Sequence, residues 1–99
     1  MIGLAKRARK AAAGEDYCKE RIRSGECRLV LLAGDAGPNT RKSIENSCNY
    51  YGVPLLTYAD KETLGRALGL KVAAVVSVLD KGFAEGIEKR IQANINGGE

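Results

Sequence analysis

Strand-like apolar runs alternate with amphipathic helical segments along this 99-residue chain, and that order predicts an α/β fold. The expected architecture is a three-layer α/β/α sandwich around a mixed sheet of about four strands. Two runs carry the prediction. Residues 28–33 (RLVLLA) are dominated by branched apolar side chains and stop at Gly34, as a central strand does. Residues 73–79 (AAVVSVL) are apolar apart from Ser77, as in a strand covered on both faces. The third observation is the 3.6-residue periodicity of the segments around them.

In chain order, Ile2, Ala5, Ala8 and Ala12 fall at helical spacing, with Lys6, Arg7, Arg9 and Lys10 elsewhere on the wheel. Residues 11–14 then form either a very short edge strand or a link. A second helix fits Gly14 to Ser24, with Cys18 and Ile22 inward, and Gly25 ends it as a C′ glycine. After the first long strand, Gly37-Pro38 starts a helix with proline at its first position. Its inward stripe reads Ile44, Cys48 and Tyr51, and Gly52 closes it. Pro54 leads a strand over 55–58, where a missing donor is tolerated at the first residue. Asp60 caps a short helix through Ala67. Asp80 caps a last helix with the stripe Phe83, Ile87, Ile91 and Ile95. Residues 1–95 are expected to form one domain, with 96–99 a frayed tail.

The charge is unevenly placed. Of a net +4, residues 1–50 hold ten Lys/Arg against six Asp/Glu, while residues 51–99 hold six of each. With a pI near 9.1, the basic start is either a solvated helix face or a phosphate contact. Ile2 and Leu4 are too few large apolar residues to anchor that helix in a membrane. Without an apolar run of spanning length or a signal-type core, the expected location is the cytoplasm.

Cys18, Cys27 and Cys48 are odd in number and widely spaced, and the chain has no histidine, so neither a metal nor a cofactor is expected. Free buried thiols in a reducing compartment are the simplest reading. Catalysis fares no better. The usual base is missing, and Cys18 and Cys48 fall on inward stripes where burial raises a thiol pKa. Glu15 and Asp16 point about 100° apart on a helix and cannot share one substrate atom. Residues 64–70 lack the spacing of a dinucleotide-binding loop. The sequence predicts no enzyme.

Two loops remain. At the Gly14 end of the second helix, unpaired N–H groups can receive phosphate and Tyr17 can stack on a base. The alternative is that Glu15 and Asp16 simply complement the helix dipole, which is the simpler reading of the helix taken alone. Ahead of the last strand, Leu70, Lys71 and Val72 follow Gly69 in a loop. They either cover a splayed nucleotide or plug the end of the core. The expectation is that both loops meet at one end of the sheet.

The segments GEDYCKERIRSG, LVLLAGDAGPNTRKSI, YYGVPLL, LGRALGLKV and LDKG occur in the order and spacing of the ribosomal L seven Ae and L thirty e family. The chain resembles most its small bacterial, ribosome-associated branch, over roughly residues 2–90. The resemblance implies an α/β/α sandwich and recognition of kink-turn RNA. In such members the glycine-led helix enters the widened groove at tandem G·A pairs, and the loop before the last strand covers a flipped nucleotide. Carried over by position, Gly14 is the helix-opening glycine. Asp16 stands where many members have Asn or Lys, and Tyr17 where they have Glu or Gln. Glu20 stands where a Lys usually reaches guanine, and Lys19 is one residue away, turned about 100°. Asp35 matches a polar position in the loop after the first long strand. Leu70, Lys71 and Val72 match the nucleotide-covering loop. A carboxylate at position 20 repels phosphates and cannot donate to guanine O6 or N7. The function implied is that of an RNA-binding protein of the translation machinery, with structured RNA and the ribosome as partners. The alternative, motivated by Glu15, Asp16 and Glu20, is a protein-interaction module of the same fold.

Overall fold

The computed structural model describes residues 10–97, with side chains described through residue 91. Within it, β1 (Ala11–Ala13) leads into α1 (Glu15–Arg23), β2 (Leu29–Leu32), α2 (Pro38–Tyr51) and β3 (Leu55–Thr57). There follow α3 (Lys61–Ala67), β4 (Val75–Val78) and α4 (Lys81–Gly97). The sheet is mixed, in the order β1-β4-β2-β3. β3 runs parallel to β2 with Leu31 beside Leu56, a pairing that needs a crossover connection, and α2 supplies it. β4 runs antiparallel to both β1 and β2. Leu32 lies opposite Val75, so the end of β2 and the start of β4 share one end of the sheet.

Every residue of β2 and β4 is buried, which requires cover on both faces and accounts for their unbroken apolar sequence. Helices on the two faces supply it, and the architecture is the expected three-layer α/β/α sandwich. Cys18 and Ile22 of α1, Ile44 and Cys48 of α2, and Ala84, Ile87 and Ile91 of α4 close the core. Ser77 is the exception in β4, and it is fully buried. Its hydroxyl donates to the Ala12 carbonyl at 3.2 Å across the register Ala12–Ser77, so β1 is tied to β4 by a side chain as well as the ladder.

The helix ends follow their sequence signals. After α1, the Gly25 N–H reaches the Ile22 carbonyl and the Glu26 N–H reaches that of Arg21, a Schellman arrangement that needs the left-handed φ of 82° at Gly25. Pro38 opens α2 and Gly52 closes it. Asp60 Oδ1 accepts from the Thr63 N–H at 2.7 Å and caps α3. Hydrogen bonding with the Thr63 side chain, and then with this backbone N–H, holds the Asp60 carboxyl below the ordinary aspartate range. Asp80 Oδ1 likewise accepts from the Phe83 N–H at 3.0 Å.

Several expectations are corrected. Tyr51 is not buried on the inward stripe: it is 44% exposed in the last turn of α2, next to the Gly52 that closes the helix. Tyr58 lies just beyond β3, although its N–H still bonds to Leu32. β4 is shorter than the apolar run, and Ala73, Ala74 and Leu79 flank it. Ala12 belongs to a strand rather than to a helical stripe, so residues 11–13 are the edge strand and not a link. Residues 96 and 97 continue α4. The stripe positions Ile2, Ala5 and Ala8, the basic residues Lys6, Arg7 and Arg9, and the side chain of Ile95 lie outside what is described.

Candidate nucleic-acid interface

Gly14 joins the two expected loops. Its φ of 124° is a conformation that L side chains rarely adopt, and it lets the chain turn sharply from β1 into α1. In that pose its N–H donates to the Val75 carbonyl at 3.1 Å, while its own carbonyl accepts from Cys18 at 3.0 Å. The first turn of α1 is thereby fixed against the start of β4. A hollow of about 250 Å³ lies between them, lined by Gly14, Glu15, Thr40 and residues 72–75. Gly14 at the N-cap has no side chain with which to cap the helix start.

The loop ahead of β4 folds back on α3. The Leu70 N–H donates to Gly65 at 2.7 Å, Gly69 to Arg66 at 3.1 Å, and Ala73 to Lys61 at 2.9 Å. Gly65 allows this approach, since a Cβ there would stand 2.6 Å from the Val72 Cα. With its backbone held this tightly, the loop turns Leu70, Lys71 and Val72 outward, Leu70 at 44% and Val72 at 59% exposure. These side chains do not plug the core. Lys71 has no ion pair among the described residues.

On α1, Asp16, Tyr17 and Glu20 are exposed. The Tyr17 ring carries the Arg21 guanidinium 5.2 Å from its centroid. Arg21 is held in turn by Glu26 at 2.9 Å and approaches Glu20 at 3.9 Å. Lys19 does not fill the place of Glu20. Its Nζ donates to Ser43 Oγ at 2.8 Å and lies 3.9 Å from Glu15 Oε2, so it leans along the α1–α2 seam beside the hollow. Glu15 also accepts from Thr40 Oγ1 at 2.9 Å. Asp35 sits at the same end of the sheet but serves a structural role, accepting the Lys61 N–H at 2.8 Å at the start of α3. Of the expected site residues, the structure therefore brings Gly14 and Val72 together in the lining of one hollow, with Lys19 reaching Glu15 at its edge and Leu70 and Lys71 next to Val72 in the exposed loop. Asp35 is engaged at the start of α3, and Tyr17 and Glu20 lie on the outer face of α1.

Residues 1–87 match the model of the Ribosomal protein L7Ae/L30e/S12e/Gadd45 family. The chain belongs to that family. Among its relatives is the RNA-binding protein YlxQ of Bacillus subtilis, 45% identical over 84 residues that span 85% of this chain and 84% of that protein. A protein of unknown function from Bacillus halodurans superposes with a TM-score of 0.88 at 34% identity, over 92% of each chain. The Giardia lamblia 15.5kD RNA binding protein shares the fold, with a TM-score of 0.79 at 23% identity over 93% of this chain and 82% of that one.

Within this family frame, Thr40 and Ser43 shape the site without appearing in the sequence reading of it, and Gly65 and Arg41 acquire structural roles that the sequence did not assign them. Arg41 donates to the Gly34 carbonyl at 3.0 Å and to that of Ala33 at 3.4 Å, tethering the loop after β2. The only sequence signal for Gly65 is a glycine inside a short helix, where the residue costs about 1 kcal/mol relative to alanine and so implies a close approach. The three thiols stand apart from the interface, free and buried. A hydrogen bond with Cys27 and burial push the Cys18 thiol far up, and burial pushes Cys48 up to about 12.

Proposed function

We propose that this chain is an RNA-binding protein of the translation machinery that recognises structured, kink-turn-like RNA, acts in the cytoplasm and is not an enzyme. The reading is supported by one juxtaposition: the Gly14–Val75 hydrogen bond, which sets the opening turn of α1 beside the exposed loop of Leu70, Lys71 and Val72. Open helix N–H groups suit an RNA oxygen, and two exposed apolar side chains suit the face of an unstacked base. Lys71 and Lys19 supply positive charge on either side. Glu15 and Asp16 cannot meet phosphate, but their carboxylates can accept from a 2′-hydroxyl or an exocyclic amino group. Asp35 takes part by holding α3, and with it the loop, in place.

The deciding experiment is a gel shift with a kink-turn duplex and a straight duplex of the same composition. Tighter binding to the kinked form, weakening with salt as counterions are released, is the expected result. Equal or absent binding to both refutes the shape-specific reading. Lys71→Ala and Tyr17→Ala each weaken the kinked complex, and unchanged affinity in both variants moves the contact elsewhere.

A further inference from the structure

The far end of the sheet carries a second hollow, of about 270 Å³, between the C-terminal ends of α1 and α2 and the segments that enter β2 and β3. Arg23, Gly25, Arg28, Tyr51 and Pro54 line it. The run of α2 from Thr40 to Tyr51 puts it about 16 Å from the Gly14 hollow at 1.5 Å per residue. The molecule measures 33 × 27 × 26 Å, so the two hollows lie towards opposite ends.

Three observations give this hollow a chemistry. Tyr51 is 44% exposed although helical periodicity aims it inward, and Tyr50 beside it is 81% exposed. Their rings meet edge to face, 4.8 Å between centroids at 77°, which orders an aromatic surface at little rotamer cost. Arg23 and Arg28 are exposed and have no ion pair among the described residues. Among the described residues no carboxylate lines the hollow. The nearest along the chain, Glu26, is engaged by Arg21 at 2.9 Å and by the Ser24 hydroxyl at 3.0 Å. Gly25 adds no side chain, and nothing stands within 4 Å of where its Cβ would be.

Unpaired guanidinium groups flanking an exposed aromatic pair match a nucleotide in its two parts, with the ring for the base and the arginines for the phosphates. We infer that this hollow is a second RNA contact, taking a single-stranded nucleotide whose base stacks on Tyr51 and whose flanking phosphates pair with Arg23 and Arg28. It shares no residue with the Gly14 patch, so the protein grips two segments of RNA at once, a structured one at one end and an unpaired strand at the other.

The test uses the full chain and a decauridine carrying 4-thiouridine, which offers no kink. After ultraviolet irradiation, crosslinked peptides are mapped by mass spectrometry. Crosslinks at Tyr50 or Tyr51 are expected, and crosslinks confined to the region of Tyr17 and Leu70–Val72 overturn the inference. In salt titrations the Arg23→Gln/Arg28→Gln variant lowers the slope of log affinity against log salt by about 1.4, two single-strand phosphate contacts. An unchanged slope overturns it. Tyr51→Ala weakens decauridine binding about fivefold or more, whereas Tyr51→Phe retains it, a pattern that a folding defect in the alanine variant does not mimic once its thermal melt is matched. Displacement of decauridine by polyglutamate as effectively as by unlabelled decauridine marks the hollow as a site for acidic protein and overturns the RNA reading. Kink-turn binding by Arg23→Gln/Arg28→Gln stays at the wild-type level, so failure of this contact is separable from failure of the Gly14 patch.

Discussion

Replacing Gly65 by alanine tests whether the loop ahead of β4 owes its position to a missing side chain. The added Cβ would lie 2.6 Å from the Val72 Cα and 2.7 Å from both its N and its C, where ordinary contact begins at 3.4 Å. All three neighbours are backbone atoms, so no side-chain rotation relieves the overlap. The segment is also held at both ends, by the Leu70–Gly65 and Ala73–Lys61 hydrogen bonds. Overpacking of this kind costs about 1–3 kcal/mol, and the better helix propensity of alanine returns about 1 kcal/mol. With rigid neighbours the first term lies at the upper end of its range and prevails, leaving a net loss of up to about 2 kcal/mol. For a domain of this size each kcal/mol lowers Tm by about 4–8 °C. Thermal melts of Gly65→Ala and of Gly37→Ala, a control with nothing within 4 Å of the new Cβ, measure the difference. The shifted loop also loses its cover of an unstacked base, lowering kink-turn affinity about fivefold or more. A Gly65→Ala protein that melts higher than wild type and binds RNA equally well would show that the loop is not set by this contact.

Glu20→Lys removes an exposed carboxylate that approaches Arg21 at 3.9 Å and places a cation on the outer face of α1. Kink-turn affinity rises, and the salt slope steepens by about one phosphate contact; a gel shift with no gain in affinity rejects the assignment of that face to RNA. Ser77→Ala deletes the hydroxyl that bridges β4 to Ala12, at a cost of about 1 kcal/mol in urea unfolding; no loss means that the ladder alone secures β1. The cap on α3 is pH-dependent. Because the Asp60 pKa is lowered in the folded state, its contribution is complete above the unfolded value and disappears as pH falls through the lower folded value. The Thr63 amide resonance therefore moves below about pH 4 in wild type and not in Asp60→Asn, which keeps a capping oxygen that does not titrate. Matching titrations in the two proteins contradict the cap.

Arg41 shows how a site residue escapes a reading of sequence. On the helix wheel it is one more cation near the start of α2, and the sequence gives no reason to single it out. In the fold it holds the carbonyls of Gly34 and Ala33 and so shapes the loop in which Asp35 reaches α3. Asp35 is similar: its polarity is visible in the sequence, but its partner is 26 residues away. Lys19 lies beside Glu20 in the chain, yet its ammonium group is drawn to Ser43, 24 residues on, and away from the outer face.

The chain by itself settled the elements from α1 to α4 and their order, while leaving β1 open between an edge strand and a link. Apolar runs, helix stripes, the Gly25 stop, Pro38 and the Asp60 cap are local signals, each complete within a few residues, because backbone conformation is decided over that distance. Tertiary packing decided which ends of those elements meet. Periodicity tells which side of α2 Tyr51 occupies but not what packs against that side at the helix end, and in the fold the ring is 44% exposed. Nor does the spacing of Gly65 and Val72 reveal that their backbones touch, since that contact exists only once the loop has closed on α3.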